Sequence, residues 1–204
     1  MDGAPRPELA GLRIADPPEH WRDLGFDVVD ERIELGGISI QLVDPAGSGV
    51  GGITGWTLRH VDPGGDIDGL PTSVTTDGPA PVVTHPNGAT ALDHVVIVTP
   101  DFDRTAASLA RASMPLRRVR DAGGFRQGFR RLGPAIMEIV ETPGALGKPR
   151  FWGLVIVVSD LEALRERLQP HLGEVRGAVQ PGRHIATLSD DAGVTPKVAF
   201  MDAD

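Results

Sequence analysis

An α+β fold built from tandem βαβββ units is predicted by three features of the sequence. Ala91–Pro143 reads as a strand, a helix and three further strands. Phe151–Asp202 repeats that order, with FWGLVIVVSDLEALRERL lining up on LDHVVIVTPDFDRTAASL and Gly153 falling where His94 stands. Gly11–Val43 carries a shorter, degraded copy. The chain therefore divides into a degenerate N-terminal unit at 8–62, a Pro/Gly-rich connection at 63–90 and a complete two-unit domain at 91–203.

Residues 1–7 form a Pro-containing tail, expected to be mobile. Gly11–Ala15 is a short strand, and Asp16-Pro17-Pro18 is a helix start with an Asp cap and proline in the first turn. The helix from Pro17 to Leu24 directs Trp21 and Leu24 inward and stops at Gly25. Phe26–Asp30, Glu31–Leu35 and Ile38–Val43 read as strands. The ending ISIQLVDP parallels IMEIVETP, so Gln41 takes the place of Glu138 and Gly11 that of His94. Lacking the polar pair, this unit is expected to complete a sheet, within the chain or in a homodimer, and to hold no active site.

A glycine-rich break at Ala46–Gly52 precedes Ile53–Val61, a strand with Trp56 that matches the start of another unit. Asp62–Thr90 is rich in Pro, Gly, Asp and Thr and has no helical period; Leu70–Thr75 and Val82–Thr84 read as edge strands or packed loop. His85-Pro86-Asn87-Gly88 is a turn.

In the unit at Ala91–Pro143, Leu92–Val98 is β-branched and alternates, so His94, Val96 and Val98 share a face. Thr99-Pro100-Asp101 opens a helix whose stripe is Phe102, Ala106 and Leu109. Leu116–Arg120, Phe125–Leu132 and Ala135–Glu141 follow as strands, the last setting Ile136, Glu138 and Val140 on one face. In the unit at Phe151–Asp202, Ser159-Asp160-Leu161-Glu162 is a capping-box pattern ahead of a Leu161/Leu164/Leu168 stripe. Its strands are Glu174–Ala178, Arg183–Leu188 and Lys197–Met201, and aligning Pro196 on Pro134 sets Phe200 at the position of Glu138.

The 204 residues suffice for a large core, and 40% hydrophobic with 24% charged residues is ordinary globular composition. A net charge of -8 argues against nucleic acid as partner. With no cysteine, disulfides and thiolate chemistry are excluded. No apolar run reaches a membrane span and the N-terminus lacks a signal-peptide pattern, so a cytoplasmic location is expected.

The tandem βαβββ order, the DHVVIVTPDFD start and the MEIVE end resemble the vicinal-oxygen-chelate superfamily, which holds glyoxalases, bleomycin-resistance proteins and extradiol dioxygenases. GWTLRHVD and HPNGATALDHV are similar to segments of glyoxalase-like actinobacterial members. The resemblance implies paired units in a curved mixed sheet around a cup, with metal ligands, where used, on the first and last strands.

His94 and Glu138 are the candidate catalytic pair and the candidate metal ligands, for Zn, Mn, Fe or Ni. Gly153 and Phe200, at the matching positions of the unit at Phe151–Asp202, cannot coordinate through side chains. Three readings stay open: one divalent metal, a metal-free pair that binds or deprotonates a ligand, and a purely structural pair. Arg126 and Arg130, sharing a face, are candidate ligand-binding residues, with Gln127 as their rival on the other face. His184 and Phe200 complete the candidate ligand set, although alternation lets only one of Arg183 and His184 face inward. The expected function is a glyoxalase-like small-molecule enzyme of lyase, isomerase or dioxygenase type, with His94 and Glu138 lining the largest pocket. The rival is a non-catalytic small-molecule binding or resistance protein of the same fold.

Overall fold

The computed structural model describes residues 5–45, 51–62 and 67–203. The start of the tail, residues 46–50 of the glycine-rich break and residues 63–66 of the connection lie outside these. The N-terminal part contains β1 (Glu8–Ala15), α1 (Pro18–Asp23), β2 (Arg32–Leu35), β3 (Ile38–Val43), β4 (Gly52–Arg59) and β5 (Thr72–Val74). The third unit contains β6 (Ala89–Thr99), α2 (Phe102–Arg111), β7 (Arg118–Asp121), β8 (Arg126–Leu132) and β9 (Ala135–Glu141). The fourth contains β10 (Arg150–Val158), α3 (Leu161–Leu168), β11 (Arg176–Gly177), β12 (His184–Thr187) and β13 (Lys197–Asp202).

The architecture is α+β, and the strands divide between two mixed sheets. The larger runs β11-β12-β13-β10-β6-β9-β8-β7. Each unit pairs its first and last strands in parallel, and the two first strands, β6 and β10, meet antiparallel at the centre. The smaller sheet runs β2-β3-β1-β4-β5 and obeys the same rule: β1 lies parallel to β3, β4 parallel to β5, and β1 antiparallel to β4. The strand around Trp56 is thus the first strand of another unit, and β5 stands where that unit's last strand belongs.

Helices α2 and α3 are each capped by an aspartate: Arg104 N donates to Asp101 Oδ1 at 3.0 Å and Ala163 N to Asp160 Oδ1 at 2.9 Å. Against expectation, Asp16 does not cap α1, whose N-cap is Pro17. Pro17 and Pro18 have no N–H to give it. Its buried carboxylate instead accepts from Trp21 Nε1 (3.2 Å) and Thr195 N (3.0 Å), joining the first unit to the fourth.

The predicted strand at Phe26–Asp30 is a tight turn, with Val29 bridging Arg32 and Asp30 and Glu31 at φ 47° and 60°. This turn aims Phe26 into the core, where it stacks on Phe200 at 6.3 Å. Trp56 meets Phe151 edge-on at 5.4 Å, so the apolar faces of the two sheets share one core. Gly128 shows where α2 lies: a Cβ there would stand 2.6 Å from Leu116 Cδ1 and 2.9 Å from Phe102 Cζ. The opposite face of the larger sheet carries His94.

Candidate functional site

Ladder partners share a face, so the registers sort every side chain of the larger sheet. His94 pairs with Ile136, Val96 with Glu138 and Val98 with Val140. Across β8 and β7, Phe129 pairs with Glu138, Gln127 with Val140 and Arg120 with Gln127. His94, Glu138, Gln127, Phe129 and Arg120 therefore stand on one face. The β-branched runs of β6 and β9 hold the first two rigidly; β8 and β7 bring the others alongside.

A bulge in β6 adds a residue that alternation hides. Val155 pairs with His94 and the adjacent Ile156 with Leu92, which leaves Asp93 unopposed. Its Oδ2 rests in ion-pair contact against His94 Nδ1. Arg183 holds the other oxygen, donating from Nη1 to Asp93 Oδ1 at 2.8 Å, and braces itself on Asp202 O through Nε (3.0 Å) and Nη2 (2.6 Å). Burial alone raises the Asp93 carboxyl, but the contacts with His94 and Arg183 outweigh it and hold the group below the ordinary carboxylate value.

On the other side of His94, Arg120 Nε donates to Gln127 Oε1 at 2.6 Å and Gln127 Nε2 donates to Glu138 Oε1 at 2.8 Å. Donation by Arg120 fixes which end of the amide faces Glu138. Burial pushes the Glu138 carboxyl above the ordinary glutamate value, against the pull of His94 and Arg120. The result is a chain of polar groups, Arg183–Asp93–His94 and then Glu138–Gln127–Arg120, crossing a half-buried face of Val98, Ile136, Val140 and Val155.

The fourth unit supplies no matching donors. The bulges set the correspondence: Asp93 is unopposed in β6 and Trp152 in β10, so the next residue, Gly153, is the counterpart of His94. Val155 then pairs with Ala199, which is the counterpart of Glu138. Phe200 lies one residue on, faces the core and is fully buried. Among the described residues, no group of three His, Cys, Asp or Glu is placed to hold a metal. His94 and Glu138 bring only two donors to this face, one short of a three-ligand mononuclear centre.

The other expected ligand residues stand away from this face. Arg126 and Arg130 lie on the α2 side of β8. The Arg126 guanidinium is saturated by Glu141 (3.0 and 2.9 Å) and Asp103 (2.8 and 3.2 Å) and covers the Phe102 ring at 4.6 Å. Arg130 is buried beneath Pro115, donating to its carbonyl at 3.4 Å. His184 is exposed and bound to Asp202, its N donating to Oδ1 at 2.7 Å. It shares the Phe200 face by the Ala186–Phe200 pair, so the inward residue of the two is Arg183. Of five cavities, none is lined by His94 or Glu138; the largest of the five, about 730 Å³, lies on the smaller sheet.

Two solved structures match the chain almost end to end. A triple mutant of 4-hydroxymandelate synthase from Streptomyces coelicolor aligns over 98% of this chain and 93% of its own, with TM-score 0.65 and 13% identity. A xylose isomerase-like TIM barrel/4-hydroxyphenylpyruvate dioxygenase fusion protein aligns over 98% of this chain and 50% of its own, with TM-score 0.63 and 11% identity. The fold is the vicinal-oxygen-chelate fold. Methylmalonyl-CoA epimerase from Mycobacterium tuberculosis aligns over 57% of this chain and 90% of its own at 20% identity, with TM-score 0.47. No protein-family model matches the chain, and no curated protein is similar to it in sequence. At these identities the likeness establishes the fold alone. No helix among the described residues is long and apolar enough to cross a membrane.

Proposed function

We propose that this protein is a glyoxalase-like enzyme that moves a proton next to the carbonyl of a small molecule, using Glu138 as base and His94 as hydrogen-bond donor. The observation that carries this reading is a half-buried carboxyl, raised above its ordinary value by desolvation, on the same face as a histidine backed by an aspartate. A carboxylate of raised pKa is the stronger base, and an Asp-backed imidazole presents Nε2 to a ligand oxygen.

In the step envisaged, the substrate C–H bond breaks and Glu138 takes the proton. The electron pair moves into the carbonyl, and His94 Nε2–H stabilises the enolate oxygen. Return of the proton to the other face of the same carbon re-forms the carbonyl, restores Glu138 and completes an epimerisation without a co-reactant; in a 2-hydroxy ketone, return to the former carbonyl carbon completes an isomerisation once the hydroxyl proton has passed to the enolate oxygen. Asp93 steadies the imidazole as charge develops, while Gln127 orients the carboxylate. An oxygenase of this fold would require a redox metal, and the donor set of His94 and Glu138 favours the metal-free isomerase or lyase reading.

The test is proton exchange with solvent. The protein would be incubated in D2O with a panel of 2-oxo acids, 2-hydroxy ketones and acyl thioesters, and loss of the substrate C–H signal followed by NMR. Exchange is expected for at least one class and should vanish in Glu138→Gln and His94→Ala. Binding of a panel member without exchange would instead establish the non-catalytic binding reading.

A further inference from the structure

The smaller sheet was expected to carry no site, yet a cavity of about 730 Å³ opens on its polar face. That volume is in the range of pockets that take small organic ligands. The registers place two adjacent rows of side chains on its floor. Arg13 pairs with Gln41 and Gln41 with Arg32, giving a row of cation, amide and cation across β1, β3 and β2. Gly11 pairs with Ser39 and Ser39 with Glu34, giving a row of bare backbone, hydroxyl and carboxylate beside it.

Gly11 keeps the floor low, and the close approach of β3 requires it, since a Cβ there would stand 2.7 Å from the Ser39 carbonyl oxygen. Two features of these rows are unexplained by folding alone. First, Glu34 Oε1 accepts from Ser39 Oγ at 3.0 Å, but Oε2 is buried with no donor. A buried acceptor left unsatisfied is costly, and a ligand donor would relieve it. Second, among the described residues the Arg13 guanidinium makes no hydrogen bond or ion pair, and Arg32 makes one long bond to Ser39 Oγ at 3.4 Å. Both arginines are exposed. The segment around Gly78 forms the far wall, tied to the floor by Arg59, whose guanidinium reaches Glu8, Gly37 O and Gly78 O.

We propose that this face is a second binding site, for a small carboxylate that carries a hydroxyl or ammonium on the adjacent carbon. Neighbouring strands lie about 4.8 Å apart, so Arg13 and Arg32 flank Gln41 at roughly 10 Å, a span that brackets one carboxylate. The carboxylate sits over Gln41 between the two guanidiniums. The neighbouring donor extends over the Gly11 row and meets Glu34 Oε2. A ligand with the anion alone leaves Glu34 unsatisfied; one with the donor alone leaves the arginines unused. The site is independent of His94 and Glu138, which lie on the other sheet.

Protein-observed NMR of the full chain tests this. The indole N–H of Trp56, bonded to Thr72 Oγ1 at 2.7 Å at the cavity wall, serves as reporter and is assigned by its loss in Trp56→Phe. Glycolate, lactate and glycerate form the hydroxy arm, glycine and serine the amino arm, and acetate and ethylene glycol are controls. At least one arm should bind in a saturable way, ten-fold or more tighter than both controls. Binding should weaken at least ten-fold in Arg13→Met and in Arg32→Met, and Glu34→Gln should narrow the gap to acetate. His94→Ala should leave the affinity unchanged, which separates this site from the proposed catalytic face. Binding by neither arm, or binding unaltered in Arg13→Met/Arg32→Met, would overturn the proposal.

Discussion

Arg183 donates to Asp93 at 2.8 Å, and through it the fourth unit supports a histidine that belongs to the third. The depressed Asp93 value makes this support a matter of pH. A carboxyl whose folded value lies below the unfolded one adds stability above the unfolded value, near 3.8 for aspartate, and loses it as pH falls through the folded value. Arg183→Met removes one of the stabilising charges. Its deficit against the parent protein should be full above about pH 5 and shrink on acidification. Denaturant unfolding across that range measures it, and a deficit constant with pH would show that Arg183 contributes packing only.

Glu138 has the opposite sign. Burial raises its value, so its contribution is fully present below the ordinary glutamate value of 4.5 and declines as pH rises through the folded value. Glu138→Gln is neutral throughout and should be free of that decline. The variant should therefore gain on the parent as pH rises from the ordinary glutamate value through the raised one, while losing proton-exchange activity. Parallel stability curves for the two would contradict a buried, perturbed carboxyl.

Much of this arrangement is legible in the sequence, and the residues that are not have identifiable reasons. The match of His94 to Gly153 holds in the ladder because both first strands keep the same Val-rich pattern. The match of Glu138 to Phe200 does not. The prolines are one residue out of step with the strands, and a slip of one residue exchanges the two faces. In β8, Arg126 and Arg130 compete with Gln127 for the inward face, both parities being polar; only the small Gly128 betrays which side α2 covers. Asp93 escapes alternation because of the bulge, and Arg183 because its partner is remote in sequence. The cavity over Gly11 is not legible in the sequence, because its floor of Gly11, Ser39 and Gln41 forms no motif and the strands that bring them together are distant in the chain.

Trp21 is fully buried against Phe26 at 5.5 Å and bonded to Asp16, so the inward face of α1 is as the periodicity predicts. Trp21→Ala is expected to cost about 3–5 kcal/mol. Asp16→Ala should cost about 1–3 kcal/mol, because it leaves buried donors on Trp21 and Thr195 unsatisfied. Chemical denaturation of both variants checks the values; a change within error for either would mean that α1 does not anchor the two sheets together.

His85, in the predicted turn, is a structural residue with one allowed tautomer. Asp27 N donates to its Nδ1 at 3.1 Å, so Nε2 carries the proton given to Glu34 O at 2.9 Å. His85→Ala leaves two backbone groups unpaired beside the Phe26 ring and is expected to cost about 1–3 kcal/mol. The proposed proton exchange at Glu138 should be unaffected under conditions where the variant stays folded. Loss of exchange with the fold intact would tie the two sheets together functionally.

Gln127 offers the sharpest test of the catalytic face, because two substitutions there make different predictions. Its Nε2 donates to Glu138 Oε1 while its Oε1 is held by Arg120, so it orients the carboxylate without entering the reaction. Gln127→Leu releases the carboxylate, and misplacement of a base is expected to lower the exchange rate by about 10-fold to 100-fold with little effect on ligand affinity. Gln127→Glu instead sets a second carboxylate against Glu138. Like charges raise the value of a carboxyl, so the acidic limb of the rate profile should move to higher pH, beyond the shift that burial already gives. A residue that merely supports the strand would produce equal losses in both variants and leave the limb where it was. Rate profiles of the parent protein, Gln127→Leu and Gln127→Glu in D2O decide between them, and a limb unmoved by Gln127→Glu would remove Glu138 from the proton-transfer step.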